Sequence, residues 1–275
     1  MANRETKVFI VAPTFVSVLH TAMCEHFKKL LGPKEIVIRS VTDDAEEQKS
    51  RLEQALGQLN PSALIGLDVD PDPGTIAAYK AANIPIILYN EEAPGVSTIS
   101  VDNVVGGRIA AEYLIAKGRK KIAIVSGRTK ILGSLNAEQR QNGFFQAMSA
   151  AGLSVPPGGK IEVARYTRED GIEVMPKLLE IGVDAIFCAA GDNTAIGLLS
   201  VARERGVRIP DDVAVIGFDD LFIAQVSTPK LTTVRQPLKE MAEAAYKMAV
   251  TQRIEILLKP QKVVFKPEIV VRQSA

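Results

Sequence analysis

Two adjacent aspartates, Asp219 and Asp220, directly follow a strand of buried type in the segment VAVIGFDDL (213–221). Paired carboxylates can divide the acid and base roles of catalysis. Adjacent side chains on an extended strand point in opposite directions, however, so such a pair rarely reaches one substrate atom. A carboxylate that only accepts hydrogen bonds also suits sugar hydroxyls or a purine N–H. In a third interpretation, Asp220 caps a helical turn near Leu221 and Asp219 bonds to nearby backbone.

Arg140 and Tyr166 are two further side chains that could bind a ligand. Arg140 lies near the start of a predicted helix, from which a guanidinium can donate a planar fork of hydrogen bonds into a cleft. Tyr166 closes a predicted strand and could stack on a flat ligand or a sugar face. The structural alternatives are that Arg140 is a solvated surface arginine and that Tyr166 is a half-buried aromatic residue of the core.

The remaining candidates come from their positions at predicted strand ends and helix starts. In open parallel α/β sheets, ligands bind outside the carboxyl ends of the strands. We therefore expect polar residues at these ends to line a ligand site. The candidates selected in this way are Thr14, His20, Asp68, Asn90 and Asp192.

Metal and enzyme chemistry have little support in the pattern. His20 and Cys24 are four residues apart on one predicted helix face, but a structural metal site needs four ligands and no others cluster there. There is no phosphate-binding loop, no G-x-G-x-x-G after a strand and no G-x-S-x-G elbow. We therefore predict no metal, no cofactor and no enzymatic activity.

Composition indicates a soluble globular protein of one large or two ordinary domains. The 275 residues include 33 basic and 32 acidic residues, a balance unlike that of a nucleic-acid-binding surface. No apolar run is long enough to span a membrane, and the first apolar run is too short for a signal peptide, so we expect a cytoplasmic protein. Cys24 and Cys188 have apolar neighbours, which favours reduced, buried thiols.

Strand and helix patterns alternate along the chain, which is typical of doubly wound α/β sheets. Continuous apolar runs predict strands at 7–13, 35–40, 62–68, 84–90, 121–127, 160–166, 184–191 and 212–220. Helical spacing predicts helices at 16–32, 44–59, 74–82, 103–118, 137–152, 168–182, 193–206 and 237–254, and a short strand pair is predicted within 262–271.

The two halves of the chain share one order of elements. SALIGLD (62–68) occupies the position of DAIFCAAG (184–191), and IPIILYN (84–90) that of DVAVIGFDD (212–220). This internal repeat is inferred from the pattern of strands and helices and not from sequence identity between the two halves. It predicts two parallel sheets, each covered by helices on both faces.

Several longer stretches resemble the effector-binding core of the LacI/GalR family of bacterial transcriptional regulators, which share a fold with periplasmic sugar-binding proteins. Together they cover most of residues 101–275. The matching stretches are VDNVVGGRIAAEYLIAKGRKKIAIVSG (101–127), EQRQNGFFQAM (138–148), DAIFCAAGDNTAIGLL (184–199), RIPDDVAVIGFDDL (208–221), TPKLTTVRQPLKEMAEAA (228–245) and the ending VVRQSA.

The resemblance implies a type I periplasmic-binding-protein fold, in which three crossings of the chain form a hinge between two subdomains. The N-terminal subdomain would be 1–103 plus 236–258, and the C-terminal subdomain 104–235 plus 259–275, with the ligand in a cleft between them. The family's effector-contacting arginine falls on Arg140, within an R-x-x-G pattern completed by Gly143. The aspartate after the VIGF strand is Asp219, and the aromatic residue that stacks on effectors falls on Tyr166.

By this resemblance the chain is the effector-binding and dimerisation core of a regulator. It would bind a small polar effector that is sugar-like or, as a second candidate, a purine. Closure around the effector would change operator binding by a helix-turn-helix head that this sequence does not include. The alternative is a free sugar-binding protein of an ABC transporter.

The chain departs from the family pattern at three places. Gly191-Asp192 stands where relatives have Asn-Asp, and Asn90-Glu91 where they often have Asp-Arg. Leu19 and His20 stand where aromatic residues are common. These departures predict an effector smaller than a typical hexose, or of different shape.

Overall fold

The alternating pattern of strands and helices is present in the computed structural model, which describes residues 7–13, 18–31, 36–41, 44–129 and 134–275. The candidate Thr14 lies outside the described residues. Contacts divide the chain into two compact units. The first unit contains the described residues up to Ser100 together with Pro237–Phe265. The second contains the described residues from Val101 to Gln236 together with Lys266–Ala275.

The elements follow each other in a regular order. The first series comprises β1 (Val8–Pro13), α1 (Val18–Leu31), β2 (Ile36–Val41), α2 (Ala45–Leu59), β3 (Ala63–Leu67), α3 (Pro73–Ala81), β4 (Ile86–Tyr89) and β5 (Ser97–Val101). The second series comprises α4 (Asn103–Ala116), β6 (Ile122–Gly127), α5 (Leu135–Ala150), β7 (Lys160–Val163), α6 (Arg168–Ile181), β8 (Ala185–Cys188), α7 (Asp192–Glu204), β9 (Ala214–Asp219), α8 (Phe222–Val226) and β10 (Thr232–Arg235). The chain ends with α9 (Leu238–Tyr246), a π-helical turn (Lys247–Thr251), α10 (Arg253–Leu258), β11 (Lys262–Phe265) and β12 (Glu268–Val270).

The two sheets have the same strand order, which confirms the predicted internal repeat. The first sheet runs β11-β5-β4-β3-β1-β2 and the second runs β12-β10-β9-β8-β6-β7 in the described residues. Strands β3 and β8 therefore hold equivalent positions, as do β4 and β9. Pairing along β1–β5 and β6–β10 is parallel, and β12 is antiparallel to β10.

The central strands are apolar along their whole length because helices cover both faces of each sheet. Every residue of β3, β4 and β8 is buried. A parallel strand covered on both faces reads as a continuous apolar run rather than an alternating one. In the second unit, Phe187 stacks on Phe144 with ring centroids 5.8 Å apart and lies 6.3 Å from Phe218. This aromatic cluster lies beneath the end of β9.

The helix that follows the last parallel strand of each sheet packs in the other unit. Helix α4 follows β5 of the first sheet and packs on α5 in the second unit. Helix α9 follows β10 of the second sheet and packs on α1 in the first unit. Each unit is therefore assembled from separate stretches of sequence.

The structure differs from the predicted elements near both ends of the series. Strands β5 and β10 were not predicted, because their segments mix polar and apolar residues in runs of only four or five. The short helix α8 lies at the helical turn near Leu221 that one interpretation of the sequence included. The predicted final helix is interrupted by the π-helical turn. None of the helices in the described ranges is long and apolar enough to cross a lipid bilayer.

Both strands predicted within 262–271 are present, but they belong to different sheets. Strand β11 lies beside β5 at the edge of the first sheet, and β12 lies beside β10 in the second. The Thr98 amide donates to the Gln261 carbonyl at 2.8 Å, which fixes the segment leading into β11. Residues 259–265 thus belong to the first unit, whereas the sequence assigned them to the second subdomain.

Helices α4 and α5 cross at backbone contact because each has a glycine at the crossing. A Cβ atom on Gly107 would lie 1.9 Å from the Arg140 carbonyl oxygen, and one on Gly143 would lie 1.9 Å from the Val104 carbonyl oxygen. No side chain fits at either place. The G of the R-x-x-G pattern is therefore a packing requirement that sets the distance between Arg140 and α4.

We predict that Gly143→Ala lowers the free energy of unfolding by roughly 1–3 kcal/mol, because the new methyl group forces the two helices apart. Urea-induced unfolding followed by circular dichroism measures this change. The matched control is Gly57→Ala in α2, where nothing lies within 4 Å of the added Cβ. Because alanine restricts the unfolded chain, the control should gain about 0.4–1 kcal/mol. Equal effects of the two substitutions would contradict the steric argument.

Candidate functional site

Residues at the carboxyl ends of the strands adopt backbone conformations that non-glycine residues rarely take. In the second unit φ is 110° at Asp219, 59° at Asp220 and 58° at Tyr166. In the first unit φ is 50° at Asp68 and 62° at Asn90. Such residues cost on the order of 1–3 kcal/mol each and cluster at functional sites. All five are at or beside positions that the sequence had already selected as strand ends.

Arg140 is a buried arginine without a carboxylate partner among the described residues. It projects from α5 and is 6 % exposed. Its Nε donates to Asn103 Oδ1 at 2.8 Å and its Nη1 donates to the Ala189 carbonyl at 2.9 Å. The guanidinium carbon lies 3.7 Å from the centroid of the Phe218 ring. No hydrogen bond from Nη2 to a described residue is present, so this nitrogen remains available as a donor.

Asn103 orients Arg140 from the first turn of α4. It is 1 % exposed, and its Nδ2 donates to the Val101 carbonyl at 3.2 Å while its Oδ1 accepts from Arg140. Asp102 caps the same helix by accepting from the Val105 amide at 3.0 Å. The glycine crossing of α4 and α5 brings the two side chains within hydrogen-bond distance.

Asp219 ends β9 beside Phe218 and is 6 % exposed. Its Oδ1 accepts a hydrogen bond from Gln236 Nε2 at 2.6 Å. Its Oδ2 lies against Gly191, where an added Cβ would approach it to 2.9 Å. Gly191 itself has φ 111°, so only glycine suits this position. The glycine that replaces the family's asparagine therefore leaves room for the Asp219 carboxylate.

Asp220 has a structural role that differs from the predicted helix cap. Its carboxylate accepts from Arg235 Nε at 2.7 Å and from Arg272 Nη2, and it is 5 % exposed. The N-terminus of α8 has no side-chain cap. The hydrogen bond to Asp220 raises the pKa of Arg235 above its ordinary value. These two arginines hold the turn that follows β9.

Asp192, which the sequence predicts as a ligand contact, lies beneath this turn and is fully buried. Its Oδ1 accepts from the Thr233 hydroxyl at 2.5 Å and its Oδ2 accepts from the Leu221 amide at 2.7 Å. Burial raises the pKa of the Asp192 carboxyl well above its ordinary value, and the nearby Asp219 charge raises it further. Asp192 therefore supports the turn from below.

Tyr166 is half-buried and lies against the end of β6. A Cβ on Gly127 would come within 2.6 Å of three atoms of the Tyr166 side chain, so this glycine makes room for the ring. The Tyr166 carbonyl accepts from Asn193 Nδ2 at 3.5 Å. The ring is thus held at the same edge of the sheet as Asp219, with part of its surface exposed.

In the first unit, His20 and Asp68 are brought together by a hydrogen bond of 2.7 Å between His20 Nε2 and Asp68 Oδ2. The Asp68 amide donates to the Tyr89 carbonyl at 3.1 Å, which places Asp68 beside the end of β4 and next to Asn90. Three of the candidates from the first half of the chain therefore lie at one sheet edge.

Asn90 is a buried amide whose side chain has no hydrogen-bond partner among the described residues. It is 2 % exposed, and neither Oδ1 nor Nδ2 has a partner in the described structure. Buried polar groups are hydrogen-bonded in the great majority of cases, and leaving one unpaired costs about 1–3 kcal/mol. An unpaired buried amide at a strand end is consistent with a group that pairs with a ligand.

The two units place side chains on equivalent strand ends in the same manner. From the helix after the first strand, His20 reaches the residue that follows β3, and Arg140 reaches the residue that follows β8. Asn90 follows β4, and Asp219 and Asp220 end the equivalent β9. The internal repeat therefore extends from the strands to the candidate site residues.

Metal and thiol chemistry have no support in the described residues. No group of three His, Cys, Asp or Glu side chains there could hold a metal ion. His20 bonds to Asp68 and not to its helix neighbour Cys24. Both cysteines are free and buried, and burial raises the pKa of each thiol, as expected for unreactive structural cysteines.

Comparison with known proteins identifies the family. The periplasmic binding protein-like domain matches residues 93–275. The HTH-type transcriptional regulator DegA of Bacillus subtilis (strain 168) is 31 % identical over 238 residues, which are 85 % of this chain and 69 % of DegA. The chain belongs to the LacI family of transcriptional regulators. The probable HTH-type transcriptional repressor ExuR of the same strain is 30 % identical over 209 residues, which are 74 % of this chain and 61 % of ExuR.

Solved structures of LacI-family regulators have the same fold. The CelR–cellobiose complex has a TM-score of 0.82 and 25 % identity, and covers all of this chain and 86 % of CelR. CcpA of Lactococcus lactis has a TM-score of 0.81 and 24 % identity, covering 99 % of this chain and 100 % of CcpA. This LacI-family chain is an effector-binding core and not a transporter component.

Asn103, Gln236 and Arg272 were missed by the sequence argument, although all three contact candidate residues. Gln236 is 2 % exposed and bonds to Asp219, and Arg272 bonds to Asp220. Each is far from its partner in sequence, and each occurs among ordinary polar residues. Their presence inside the family-like stretches was the one signal that could have pointed to them.

We predict that Asn90→Gly leaves the free energy of unfolding unchanged or raises it by up to about 1 kcal/mol, because no hydrogen bond is lost and glycine accepts a positive φ. Urea-induced unfolding measures this change. Asn103→Ala is the comparison, since that equally buried amide uses both Oδ1 and Nδ2. It should cost about 1–3 kcal/mol. A large loss for Asn90→Gly would mean that the amide is bonded in the free protein.

We also predict a pH dependence that Asp192→Asn removes. Because the pKa of Asp192 is raised in the folded state, its stabilising contribution is present below its ordinary pKa of 3.8 and is lost as the pH rises through the raised pKa. The slope is at most about 1.4 kcal/mol per pH unit for one proton. The stability of Asp192→Asn relative to wild type should therefore increase with pH.

Urea unfolding of both proteins from about pH 4 to pH 8 measures this difference. Asp211→Asn is the control, because the Asp211 side chain is 68 % exposed and its substitution should give a flat difference. A flat difference for Asp192→Asn as well would show that Asp192 does not retain a proton in the folded protein.

Proposed function

We propose that this LacI-family core binds a sugar or sugar-like effector at the carboxyl ends of its strands, with Arg140, Asp219 and Tyr166 as the contacts in the second unit. The observation that carries the proposal is the buried guanidinium of Arg140. It has no carboxylate partner in the described residues and retains Nη2 as a donor. Taking a charged group out of water is unfavourable unless hydrogen bonds satisfy it.

The chemistry of the three side chains suits a polyhydroxylated ligand. A sugar hydroxyl both donates and accepts, so it can accept from Arg140 and donate to the carboxylate of Asp219. The half-exposed ring of Tyr166 offers an apolar face of the kind that packs on a sugar ring. The guanidinium of Arg140 packs on the ring of Phe218, the residue that directly precedes Asp219 in the chain.

Within the first unit, the proposed ligand contacts at the strand ends are His20, Asp68 and Asn90. The unpaired amide of Asn90 offers one donor and one acceptor, and the carboxylate of Asp68 is a second acceptor. The preference for a sugar over a purine is supported by CelR, which is 25 % identical and was solved with cellobiose. Thr14 stays a prediction from its position in the sequence.

Regulation is proposed to follow from a difference in effector affinity between two states of the core. A ligand shifts such an equilibrium only by its differential affinity for them. The core would act as a homodimer and change operator binding through a helix-turn-helix head. The names of DegA and ExuR as HTH-type regulators support this role.

The test measures thermal unfolding of the core against a panel of pentoses, hexoses, disaccharides, polyols, sugar phosphates and purines. A ligand at a hundred times its Kd adds about 2.7 kcal/mol, which for a chain of this size is a rise in Tm of about 5 °C or more. Arg140→Ala and Asp219→Ala should each abolish the rise relative to their own ligand-free Tm.

Arg208→Ala and Asp212→Ala are the matched controls, since this exposed pair joins an arginine and an aspartate away from the strand ends. Both controls should keep the full rise. A ligand that stabilises all four variants equally would place its site elsewhere. A purine hit without a sugar hit would replace the proposed effector class by the second candidate.

A further inference from the structure

Two buried amide side chains lie where the chain passes between the units, and each is bonded to one of the candidate effector contacts. The first passage is between Ser100 and Val101, and the second is between Gln236 and Pro237. Asn103 lies just after the first passage and Gln236 just before the second. Both are almost fully buried, at 1 % and 2 % exposed.

At the first passage, two successive hydrogen bonds connect the backbone of Val101, the side-chain amide of Asn103 and the guanidinium of Arg140. Val101 is the last residue of β5, and its carbonyl accepts from Asn103 Nδ2 at 3.2 Å. The other end of the same amide accepts from Arg140 Nε at 2.8 Å. The guanidinium is thereby connected to the end of the strand that enters from the first sheet.

At the second passage, Asp219 and Gln236 are joined twice. Gln236 Nε2 donates to Asp219 Oδ1 at 2.6 Å, and the Gln236 amide donates to the Asp219 carbonyl at 3.4 Å. The strained turn at Asp219 and Asp220 is therefore connected directly to the residue before Pro237.

The third passage, between Phe265 and Lys266, has a weaker link. Glu268 just beyond it accepts from Arg235 Nη1 at 2.7 Å, and Arg235 bonds to Asp220. The side chains of Arg235 and Glu268 are 43 % and 64 % exposed. Exposed ion pairs contribute little, so this link serves as a natural comparison for the two buried ones.

We infer that Asn103 and Gln236 are positioning residues that couple effector contacts to separate passages of the chain, Arg140 to the first and Asp219 to the second. This goes beyond the proposed function, and rests on it only for the roles of Arg140 and Asp219. A ligand contact that shifts the side chain of Arg140 or Asp219 is passed to one passage of the chain through the buried side-chain hydrogen bond of Asn103 or Gln236. Coupling of this kind is reciprocal. A change at the effector contact must alter the chain passage, and a change at the chain passage must alter the effector contact.

The test is hydrogen–deuterium exchange of the ligand-free chain, read by mass spectrometry, so its outcome is independent of any effector. Arg140→Met keeps the packing on Phe218 and removes the bond to Asn103. Its amides at 101–106 should exchange about tenfold faster, the effect of losing one hydrogen bond to a charged group, while those at 234–238 stay within about twofold. Asp219→Ala should give the opposite pattern.

Conservative variants separate positioning from a general structural role. Asp219→Asn keeps an acceptor for Gln236 and should restore most of the protection at 234–238. Gln236→Met removes the donor and should accelerate exchange at 219–222 without affecting 101–106. Glu268→Gln should leave both passages unchanged, because its link is exposed.

The inference is overturned if either contact variant accelerates exchange at both passages alike, since this would indicate general loosening of the second unit. It is equally overturned if neither passage responds. Should Asp219→Ala not fold, Gln236→Met supplies the second arm of the same test, with 219–222 as the reporter.

Discussion

The turn formed by Asp219 and Asp220 is the constraint on which the arrangement of the second unit depends. Two consecutive residues with positive φ are unfavourable, and they persist only where surrounding contacts determine them. Those contacts come from four directions: Gln236 on Asp219, Arg235 and Arg272 on Asp220, and Asp192 on the amide of Leu221. The paired aspartates thus divide their roles, since one faces the candidate ligand site and the other is neutralised by arginines.

Most of the strands and the repetition of the sheet were predictable because each leaves a local signal, and the main candidate residues were selected by signals of the same kind. A strand buried on both faces must be apolar throughout, and a repeated order of strands and helices implies a repeated sheet. Arg140, Asp219 and Tyr166 occur at strand ends or a helix start, and Asp102 precedes an apolar helix as a capping residue does. In these cases the structural requirement, such as burial or a helix cap, and the residue that meets it lie within a few positions of each other in the sequence.

The features that could not be predicted depend on contacts between distant parts of the chain. Asn103 meets Arg140 only because two glycines let α4 and α5 touch, and Gln236 meets Asp219 only after β9 and β10 have paired. The bonds that Thr233 and Leu221 make to Asp192 likewise join positions about 30 to 40 residues apart in sequence. Strand β11 has the pattern of a hairpin partner, and its place in the first sheet follows from the path of the chain.

The exchange of segments between units has a consequence for how the protein forms during synthesis. Domains generally fold as units, N-terminal first, as the chain emerges from the ribosome. Here the first unit lacks α9 and β11 until residue 265 has been made, and the second lacks β12 and the segment that bonds to β9 until residue 274 has been made. The first unit therefore cannot be completed until most of the second has been synthesised. Until then the unfinished sheet edge at β5 and the face of α1 that receives α9 are exposed to other proteins in the cell.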